Sequence, residues 1–354
     1  MLFTPVQIGQ LQLPNRIVMS PLTRCRADAG RVPNRLMADY YVQRADAGLI
    51  LSEATAVDPM GVGYPNTPGI WSRAQVEGWK QVTQAVHAAG GRILLQLWHV
   101  GRVSDPYYLD GALPVAPSPI SPHGHVNLLR PKRDYVTPRA LDLWEIPNIV
   151  AAYRQGAAHA LEAGFDGVEI HGANGYLLDQ FLQDSTNHRQ DEYGGSLENR
   201  ARLLLQVTDA VLEVWHPGRV GMHLAPRGDT ASMGDSDPLR TFGYVAEELG
   251  RRRLAFLAAR EKLGPDRIGP ELKRLFGGAF VANEGFTRET AEQILQAGEA
   301  EAVAFGKSFI ANPDLVERLR TEAELNTPDP SSFYASGPHG YTDYPTLKAL
   351  QTNA

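Results

Sequence analysis

Three side chains with complementary chemistry lie close together in the segment Gly164–Arg200, GFDGVEIHGANGYLLDQFLQDSTNHRQDEYGGSLENR. His171 and Asn174 offer N–H donors directly after a run that is typical of a buried strand. Two such donors can stabilise negative charge that develops on an oxygen atom in a transition state. Tyr176 follows two positions later, and its phenol can act as a general acid. The spacing therefore predicts an oxyanion hole with an adjacent proton donor.

Each of these residue types also has a common structural role. Taken alone, Tyr176 would more often be a packed aromatic residue, and His171 a buried histidine whose hydrogen bonds are satisfied. Their joint placement after one predicted strand favours the functional interpretation, because residues at strand ends are those that an α/β enzyme directs into its site.

Polar or glycine-containing segments also follow the other predicted strands. They are Pro21-Leu22-Thr23, Glu53-Ala54-Thr55, Gln96, His223, Arg260, Asn283-Glu284-Gly285 and Gly306-Lys307. Converging hydroxyl, amide, imidazole and backbone N–H groups could hold a flat heteroaromatic ring with a phosphate tail. The last two segments follow strands seven and eight, where barrel enzymes commonly bind phosphate. Either glycine alone would more simply be a turn residue.

Short aliphatic runs alternate with longer amphipathic stretches, which is the rhythm of a parallel βα sheet. Eight runs are predicted as strands: Arg16–Ser20, Leu49–Thr55, Arg92–Trp98, Gly167–His171, and runs that begin at Arg219, Leu254, Ala279 and Ala302. Helices are predicted between them, including one that Ser196 caps at its N-terminus. Eight such units predict an α/β fold, a single (β/α)8 TIM barrel, with an N-terminal hairpin over Phe3–Leu13 that covers the bottom of the barrel.

One connection is too long for a simple loop after a strand. Residues 103–143 are rich in proline and leave the third strand at the end where barrel enzymes build their sites. The segment is predicted to be a capping insertion over the site, although a flap without substrate contact is the simpler alternative.

Composition restricts the class of protein and its partners. The chain has 354 residues, 43% hydrophobic and 21% charged, with a formal charge of −6 and a pI near 5.9. Its basic residues are scattered, which argues against nucleic acid or an anionic membrane surface as a partner and favours a small molecule. Cys25 is the single cysteine, so the sequence predicts no iron–sulfur cluster and no structural metal site. No membrane span or apolar signal core is evident, and a cytoplasmic protein is expected.

No G-x-G-x-x-G fingerprint follows any predicted strand, so a second nucleotide-binding module of the Rossmann type is not expected. We therefore predict that residues 1–354 form one domain.

Several motifs distributed along the chain resemble one enzyme family. Besides the segment Gly164–Arg200, they are SPLTR, GLILSEAT, LLQLWHVGR, AVAFGKSFIANPDLVERLR and the terminal GYTDYP. Together they resemble the Old Yellow Enzyme family, in the branch with N-ethylmaleimide, morphinone and pentaerythritol tetranitrate reductases, and they span nearly the whole chain. The resemblance implies non-covalent flavin mononucleotide (FMN) in a TIM barrel, with NADPH or NADH as co-substrate. It implies hydride transfer from flavin N5 to the activated C=C bonds of enones, maleimides or nitro compounds, and a monomer or homodimer.

The resemblance also assigns roles to individual residues. It places Pro21, Leu22 and Thr23 at the flavin edge, and Ala54 and Gln96 at the pyrimidine part of the ring. It gives Gly306 and Lys307 the phosphate, with Asn283, Glu284 and Gly285 in the neighbouring phosphate loop. It implies that His171 and Asn174 bind the substrate oxygen and that Tyr176 donates the proton. It also implies that Tyr334 forms an aromatic wall of the substrate site.

The sequence departs from the family pattern at several of these positions. His223 stands where the family usually has an arginine, Lys307 replaces another arginine, Glu284 occupies a position often held by glycine, and the loop after strand six is short. Histidine has an ordinary pKa of about 6.5, so it loses its charge above that pH, whereas arginine keeps it. His223 therefore predicts a lower flavin potential above neutral pH, unless Arg227 takes over the missing charge.

Two alternatives follow from the same residues. Dienoyl-CoA reductase and trimethylamine dehydrogenase relatives share this barrel but add an iron–sulfur cluster, for which one cysteine is insufficient. A flavoprotein that senses or carries a ligand without turnover is the alternative from another class, and the unusual His223 gives it some weight.

Overall fold

The computed structural model describes residues 1–352, so positions 353 and 354 of the predicted domain lie outside the described residues. The strands are β1 Val6–Ile8, β2 Leu11–Leu13, β3 Ile17–Met19, β4 Leu49–Leu51, β5 Thr55–Ala56, β6 Ile93–Trp98, β7 Val115–Ala116, β8 Arg139–Ala140, β9 Gly167–Gly172, β10 Val220–Leu224, β11 Phe256–Arg260, β12 Ala279–Asn283 and β13 Ala302–Phe305. All eight predicted strands are among them.

Helices separate the barrel strands. They are α1 Arg35–Val42, α2 Arg73–Ala88, α3 Ile146–Glu162, α4 Leu177–Leu182, α5 Leu197–Leu212, α6 Pro238–Arg251, α7 Gly269–Phe276, α8 Arg288–Gln296, α9 Lys307–Ala311, α10 Leu315–Thr321 and α11 Leu347–Thr352. Ser196 caps α5 as predicted, because its hydroxyl accepts the N–H of Asn199 at 3.3 Å. Within residues 1–352 we find no helix that is both long and apolar enough to cross a membrane.

Eight parallel strands close on themselves. β3 pairs with β13 on one side and β4 on the other, and the remaining pairs run β13-β12-β11-β10-β9-β6 until β6 meets β4. The strands are almost continuously buried, as expected for parallel strands that face the interior on one side and helices on the other. The predicted (β/α)8 barrel is confirmed.

The hairpin of β1 and β2 closes the bottom of the barrel, as predicted. Its side chains Ile8, Leu11 and Leu13 pack in one buried cluster with apolar residues of the barrel strands. The turn contains Gly9 at φ +54, where a Cβ would collide with the carbonyl group of Gly218. The hairpin therefore leaves only the C-terminal ends of the strands open.

The second predicted strand, Leu49–Thr55, is interrupted in the structure. β4 ends at Leu51 and β5 begins at Thr55. Between them, the hydroxyl of Ser52 accepts the N–H of Gln96 at 3.1 Å and so replaces a backbone acceptor of the sheet. This break places Ala54 at the mouth of the barrel, beside the site.

The long segment 103–143 is folded against the mouth of the barrel. It contains the short parallel pair β7–β8, and Arg102, just before it, donates to the carbonyl groups of Ile120 in the segment and Ala231 in the loop after β10, at 2.9 and 2.8 Å. Tyr108 donates to the carbonyl oxygen of Asn127 at 2.9 Å, within the same segment. Its role as a cap over bound substrate stays a prediction.

Candidate functional site

A cavity of about 780 Å³ opens at the C-terminal ends of the strands and shares its wall with a smaller inner cavity of about 80 Å³. Between them, these cavities are lined by every site residue predicted from the sequence: Pro21, Leu22, Thr23, Ala54, Gln96, His171, Asn174, Tyr176, His223, Asn283, Glu284, Gly285, Gly306, Lys307 and Tyr334. The strand ends therefore bring together residues as far apart in the chain as Pro21 and Lys307.

His171, the penultimate residue of β9, is in register with His223 on β10, and their rings stack with centroids 5.8 Å apart. The Nδ1 atom of His171 accepts the N–H of Ala173 at 3.3 Å, so the neutral ring carries its proton on Nε2. Burial, followed by the proximity of His223 and Arg260, lowers the pKa of His171 well below its ordinary range. His171 is thus a neutral imidazole with one N–H donor that is not used in this local bond.

Asn174 lies in the tight turn after β9 with φ +59, a left-handed conformation that asparagine tolerates better than most residues. The guanidinium of Arg260, at the end of β11, donates to its Oδ1 at 2.9 Å. The same guanidinium donates to the carboxylate of Glu284 at 3.3 Å. Arg260 therefore holds the Asn174 amide by its oxygen and leaves the NH₂ group as a donor beside His171.

The ring of Tyr176 stands edge-on to two other rings. Its centroid lies 5.0 Å from that of His171 and 5.1 Å from that of Trp98. The hydroxyl of Tyr176 lies 2.8 Å from the hydroxyl of Tyr64, which comes from the loop after β5. These contacts place the phenol next to the His171–Asn174 donors, at the wall of both cavities.

The inner end of the site contains buried polar atoms that can still form hydrogen bonds. Gln96 donates through Nε2 to the carboxylate of buried Glu169 at 2.7 Å, and its Oε1 has no partner within residues 1–352. Neither ring nitrogen of His223 has a partner in that part of the chain, although Nδ1 lies 3.6 Å from Glu169. Buried polar atoms are normally satisfied, so these atoms fit a bound group with polar edges, such as the pyrimidine part of a flavin.

The opposite end of the cavity offers backbone amides and a basic side chain. Gly285 has φ +77 and open space where a Cβ would lie, and Gly306 precedes the first turn of α9, which begins at Lys307. Glu284 has φ +97, and its carboxylate pairs with Arg260. The carboxylate of Glu284, which departs from the family pattern, is thus neutralised by Arg260. The backbone amides of the neighbouring residues and the side chain of Lys307 line the cavity.

Two buried arginines tie the Thr23 segment to the segment that carries Tyr334. Arg24 donates to the carbonyl groups of Phe333 and Gly340 at 3.0 and 2.6 Å, and Arg26 donates to that of Gly337 at 2.9 Å. Both guanidinium groups lie over the ring of Tyr341. This clamp explains how a C-terminal residue such as Tyr334 reaches the mouth of the barrel.

The structure shows whether Arg227 can supply the positive charge that is missing at position 223. Its Nε donates to the carboxylate of Glu261 at 2.7 Å, and its guanidinium also pairs with Asp266. Glu261 in turn accepts the N–H groups of Ile268 and Gly269, both at 2.8 Å. Arg227 is therefore committed to the short loop after β11 and does not stand in for the arginine that His223 replaces.

Sequence reasoning assigned no role to several residues of the site. Arg260 was recognised as a strand-end residue, but its contact with Asn174 requires two distant strand ends to be neighbours in space. Tyr64 and Asn127 lie in loops without a repeating pattern, whereas Trp98 is the last residue of β6. Only Trp98 could have been found from a sequence signal, because it lies two residues after Gln96 and alternate residues of a strand point to the same side.

The sequence profile of the NADH:flavin oxidoreductase / NADH oxidase family matches residues 1–326. Among curated relatives, 12-oxophytodienoate reductase 1 of Oryza sativa subsp. japonica is 43% identical over 365 residues, covering 99% of this chain and 94% of that protein. Flavin oxidoreductase hxnT of Emericella nidulans is 42% identical over 377 residues, covering 97% of each chain.

Solved structures of the same family are also similar to this chain. The Old Yellow Enzyme homologue from Zymomonas mobilis superimposes with a TM-score of 0.95 at 46% identity, covering 98% of this chain and 99% of that chain. Morphinone reductase in complex with tetrahydroNAD superimposes with a TM-score of 0.94 at 50% identity, covering 98% and 97%.

Proposed function

The chain belongs to the NADH:flavin oxidoreductase / NADH oxidase family, the Old Yellow Enzyme family, and from this membership we propose that it reduces activated C=C bonds of enones, maleimides or nitro compounds. Family membership gives FMN as the cofactor and a reduced nicotinamide as the co-substrate. The observation that carries the proposal is the grouping of His171, Asn174 and Tyr176 at one wall of the cavity.

The residues present fit FMN at both ends. Gln96 and His223 would meet the polar edge of the ring, the Pro21–Thr23 segment would line its face and edge, and the amides at Gly285 and Gly306 with Lys307 would hold the phosphate. The chemistry that bound FMN supplies is two-electron hydride transfer, from a reduced nicotinamide and then to an electrophilic alkene. We propose that binding is non-covalent.

His171 and Asn174 act on the acceptor's conjugated oxygen. The proton on His171 Nε2 and the NH₂ group of Asn174 are the two available donors, because Ala173 and Arg260 occupy the other polar atoms. Negative charge grows on this oxygen as the alkene accepts a hydride at its β-carbon, and two preorganised donors lower the energy of that state. Neutral His171 donates a hydrogen bond through its Nε2–H group and keeps that proton.

Tyr176 supplies the proton that completes the reduction. Its hydroxyl lies at the cavity wall beside the donor pair, so an acceptor held by that pair would present its α-carbon to the phenol. Burial raises the pKa of Tyr176, and the hydrogen bond with Tyr64 acts in the opposite direction. The phenol therefore stays protonated at neutral pH, as a general acid must.

A single cavity would serve the nicotinamide and the acceptor in turn, which is a ping-pong scheme. Product analysis tests the proposal: anaerobic incubation with NADPH and 2-cyclohexenone should give cyclohexanone in proportion to the NADPH consumed. Maleimides and nitro esters extend the screen to the other acceptor classes. If none of the three acceptor classes gives a reduced product, the proposed function is rejected.

His223→Arg should raise the midpoint potential of bound FMN at pH 8. Arginine carries a permanent positive charge, which favours a cofactor that has accepted electrons. His223 is buried between His171 and Glu169, and Arg227 is engaged elsewhere, so the new charge would not duplicate an existing one.

Spectroelectrochemical titration of wild type and His223→Arg at pH 8 measures the effect of this substitution. Arg227→Gln is a matched control, because it removes a guanidinium that is paired with Glu261 and Asp266 and should shift the potential little. Indistinguishable midpoints for wild type and His223→Arg at pH 8 would show that charge at position 223 does not act on the cofactor.

A further inference from the structure

A row of three polar side chains connects the long segment 103–143 to Tyr176. Asn127 belongs to that segment, and its Nδ2 donates to the hydroxyl of Tyr64 at 2.7 Å. The hydroxyl of Tyr64 lies 2.8 Å from that of Tyr176. The row therefore runs from the predicted cap to the phenol at the wall of the cavity.

The hydrogen bonds in this row have a preferred direction. An amide NH₂ group only donates, so Tyr64 accepts from Asn127 through its oxygen. The hydroxyl of Tyr64 can then donate one hydrogen bond of its own, and within residues 1–352 the acceptor found for it is the oxygen of Tyr176. The opposite direction would give the Tyr64 oxygen two donors and leave its own proton without an acceptor among these residues, whereas the favoured direction leaves free only the proton of Tyr176, which lines both cavities. The favoured order is Asn127 to Tyr64 to Tyr176.

Packing keeps the two phenols in this arrangement. The ring of buried Trp98 packs against both of them, with centroid distances of 5.5 Å to Tyr64 and 5.1 Å to Tyr176. Aromatic rings at these distances attract each other and resist rotation. The hydroxyl–hydroxyl contact is therefore set by two loops and a strand end, and does not depend on substrate.

We propose that Tyr64 and Asn127 are positioning residues that direct the proton of Tyr176 toward the substrate. With its oxygen accepting from Tyr64, Tyr176 has its own O–H free to point into the cavity. When the O–H bond of Tyr176 breaks and a C–H bond forms at the α-carbon, the phenolate left behind keeps the hydrogen bond from Tyr64. Water entering the open cavity returns the proton after the product leaves. The inference rests on the proposed function, since it assumes that Tyr176 is the donor.

Tyr64→Phe removes one hydroxyl and keeps the ring that packs on Trp98. We expect the oxidative half-reaction with 2-cyclohexenone to slow about tenfold, the size of one hydrogen bond's net contribution, with a larger solvent deuterium isotope effect. Reduction by NADPH and FMN content should stay as in wild type. Asn127→Ala should give a smaller loss in the same step, because it acts on Tyr176 only through Tyr64.

The matched control is Tyr153→Phe, the same substitution at a buried tyrosine of α3 whose hydroxyl has no partner within residues 1–352 and which lines neither cavity. A readout without turnover comes from fluorotyrosine placed at position 176. Its fluorine chemical shift should move in Tyr64→Phe, where the phenol oxygen loses a donated hydrogen bond, and stay unchanged in Tyr153→Phe.

The outcomes separate the inference from the proposed function. An unchanged fluorine shift together with an unchanged oxidative rate in Tyr64→Phe would overturn the inference, even if Tyr176→Phe is slow. If Tyr176→Phe itself is as fast as wild type, the assignment of the proton donor fails. A fluorine shift that moves while the oxidative rate and its isotope effect do not would also overturn the inference, because the hydrogen bond would then have no role in proton transfer.

Discussion

Replacing Tyr176 with phenylalanine should slow reoxidation by 2-cyclohexenone by about 10²-fold or more, while reduction by NADPH stays nearly unchanged. In the proposed mechanism, only reoxidation by the enone, the second half-reaction, needs the phenolic proton. The substitution keeps the ring, so the edge-on contacts with His171 and Trp98 survive and the donor pair is not displaced. A loss confined to one half-reaction distinguishes a missing proton donor from a general loss of structure.

Stopped-flow absorbance resolves the two half-reactions of the Tyr176→Phe variant separately. Tyr153→Phe again serves as the control, since it removes a buried phenol hydroxyl on α3 that lines neither cavity. Equal oxidative rates in wild type and Tyr176→Phe would remove Tyr176 from the mechanism, and the proton would then have to come from water or another side chain.

His171→Ala and Asn174→Ala should each slow enone reduction by about 10²- to 10³-fold, because truncating either removes one of two oxyanion donors. Both should also weaken the binding of phenols, which we expect to bind to these donors as phenolates and to give a long-wavelength charge-transfer band with oxidised flavin. The band gives an equilibrium measure of the donor pair that does not require turnover.

Asn174→Asp sharpens this test. It keeps an oxygen for the guanidinium of Arg260, which donates to Oδ1 at 2.9 Å, but replaces the N–H donor with an acceptor. If Asn174 acts as a donor, Asn174→Asp should be as impaired as Asn174→Ala. An undiminished charge-transfer band in both alanine variants would show that the oxyanion donors lie elsewhere in the cavity.

The barrel and most of the residues that line its cavity could be predicted because they follow from local patterns and one rule of topology. Each buried run specifies a strand, and residues directly after parallel strands must meet at one end of the barrel. His171 and His223 were predicted to share the site for this reason, and their register as neighbours on β9 and β10 agrees with it.

What could not be predicted are contacts between segments without periodicity. Tyr64 lies in the loop after β5 and Asn127 in the long segment 103–143, so nothing in the sequence indicates that their side chains meet. The break in the second strand was also missed, because its cause is the side chain of Ser52 bonding to Gln96 on a neighbouring strand. The commitment of Arg227 to Glu261 and Asp266 likewise depends on the conformation of a loop.

The most direct measurement is anaerobic absorbance spectroscopy of the purified protein through one cycle. NADPH should bleach the flavin spectrum, and 2-cyclohexenone added to the bleached protein should restore it, with one equivalent of cyclohexanone formed per flavin. A protein that only senses or carries a ligand would keep its oxidised spectrum with NADPH. A spectrum that stays oxidised with both NADPH and NADH, or stays bleached after every enone, maleimide and nitro compound, would contradict the proposed ene-reductase.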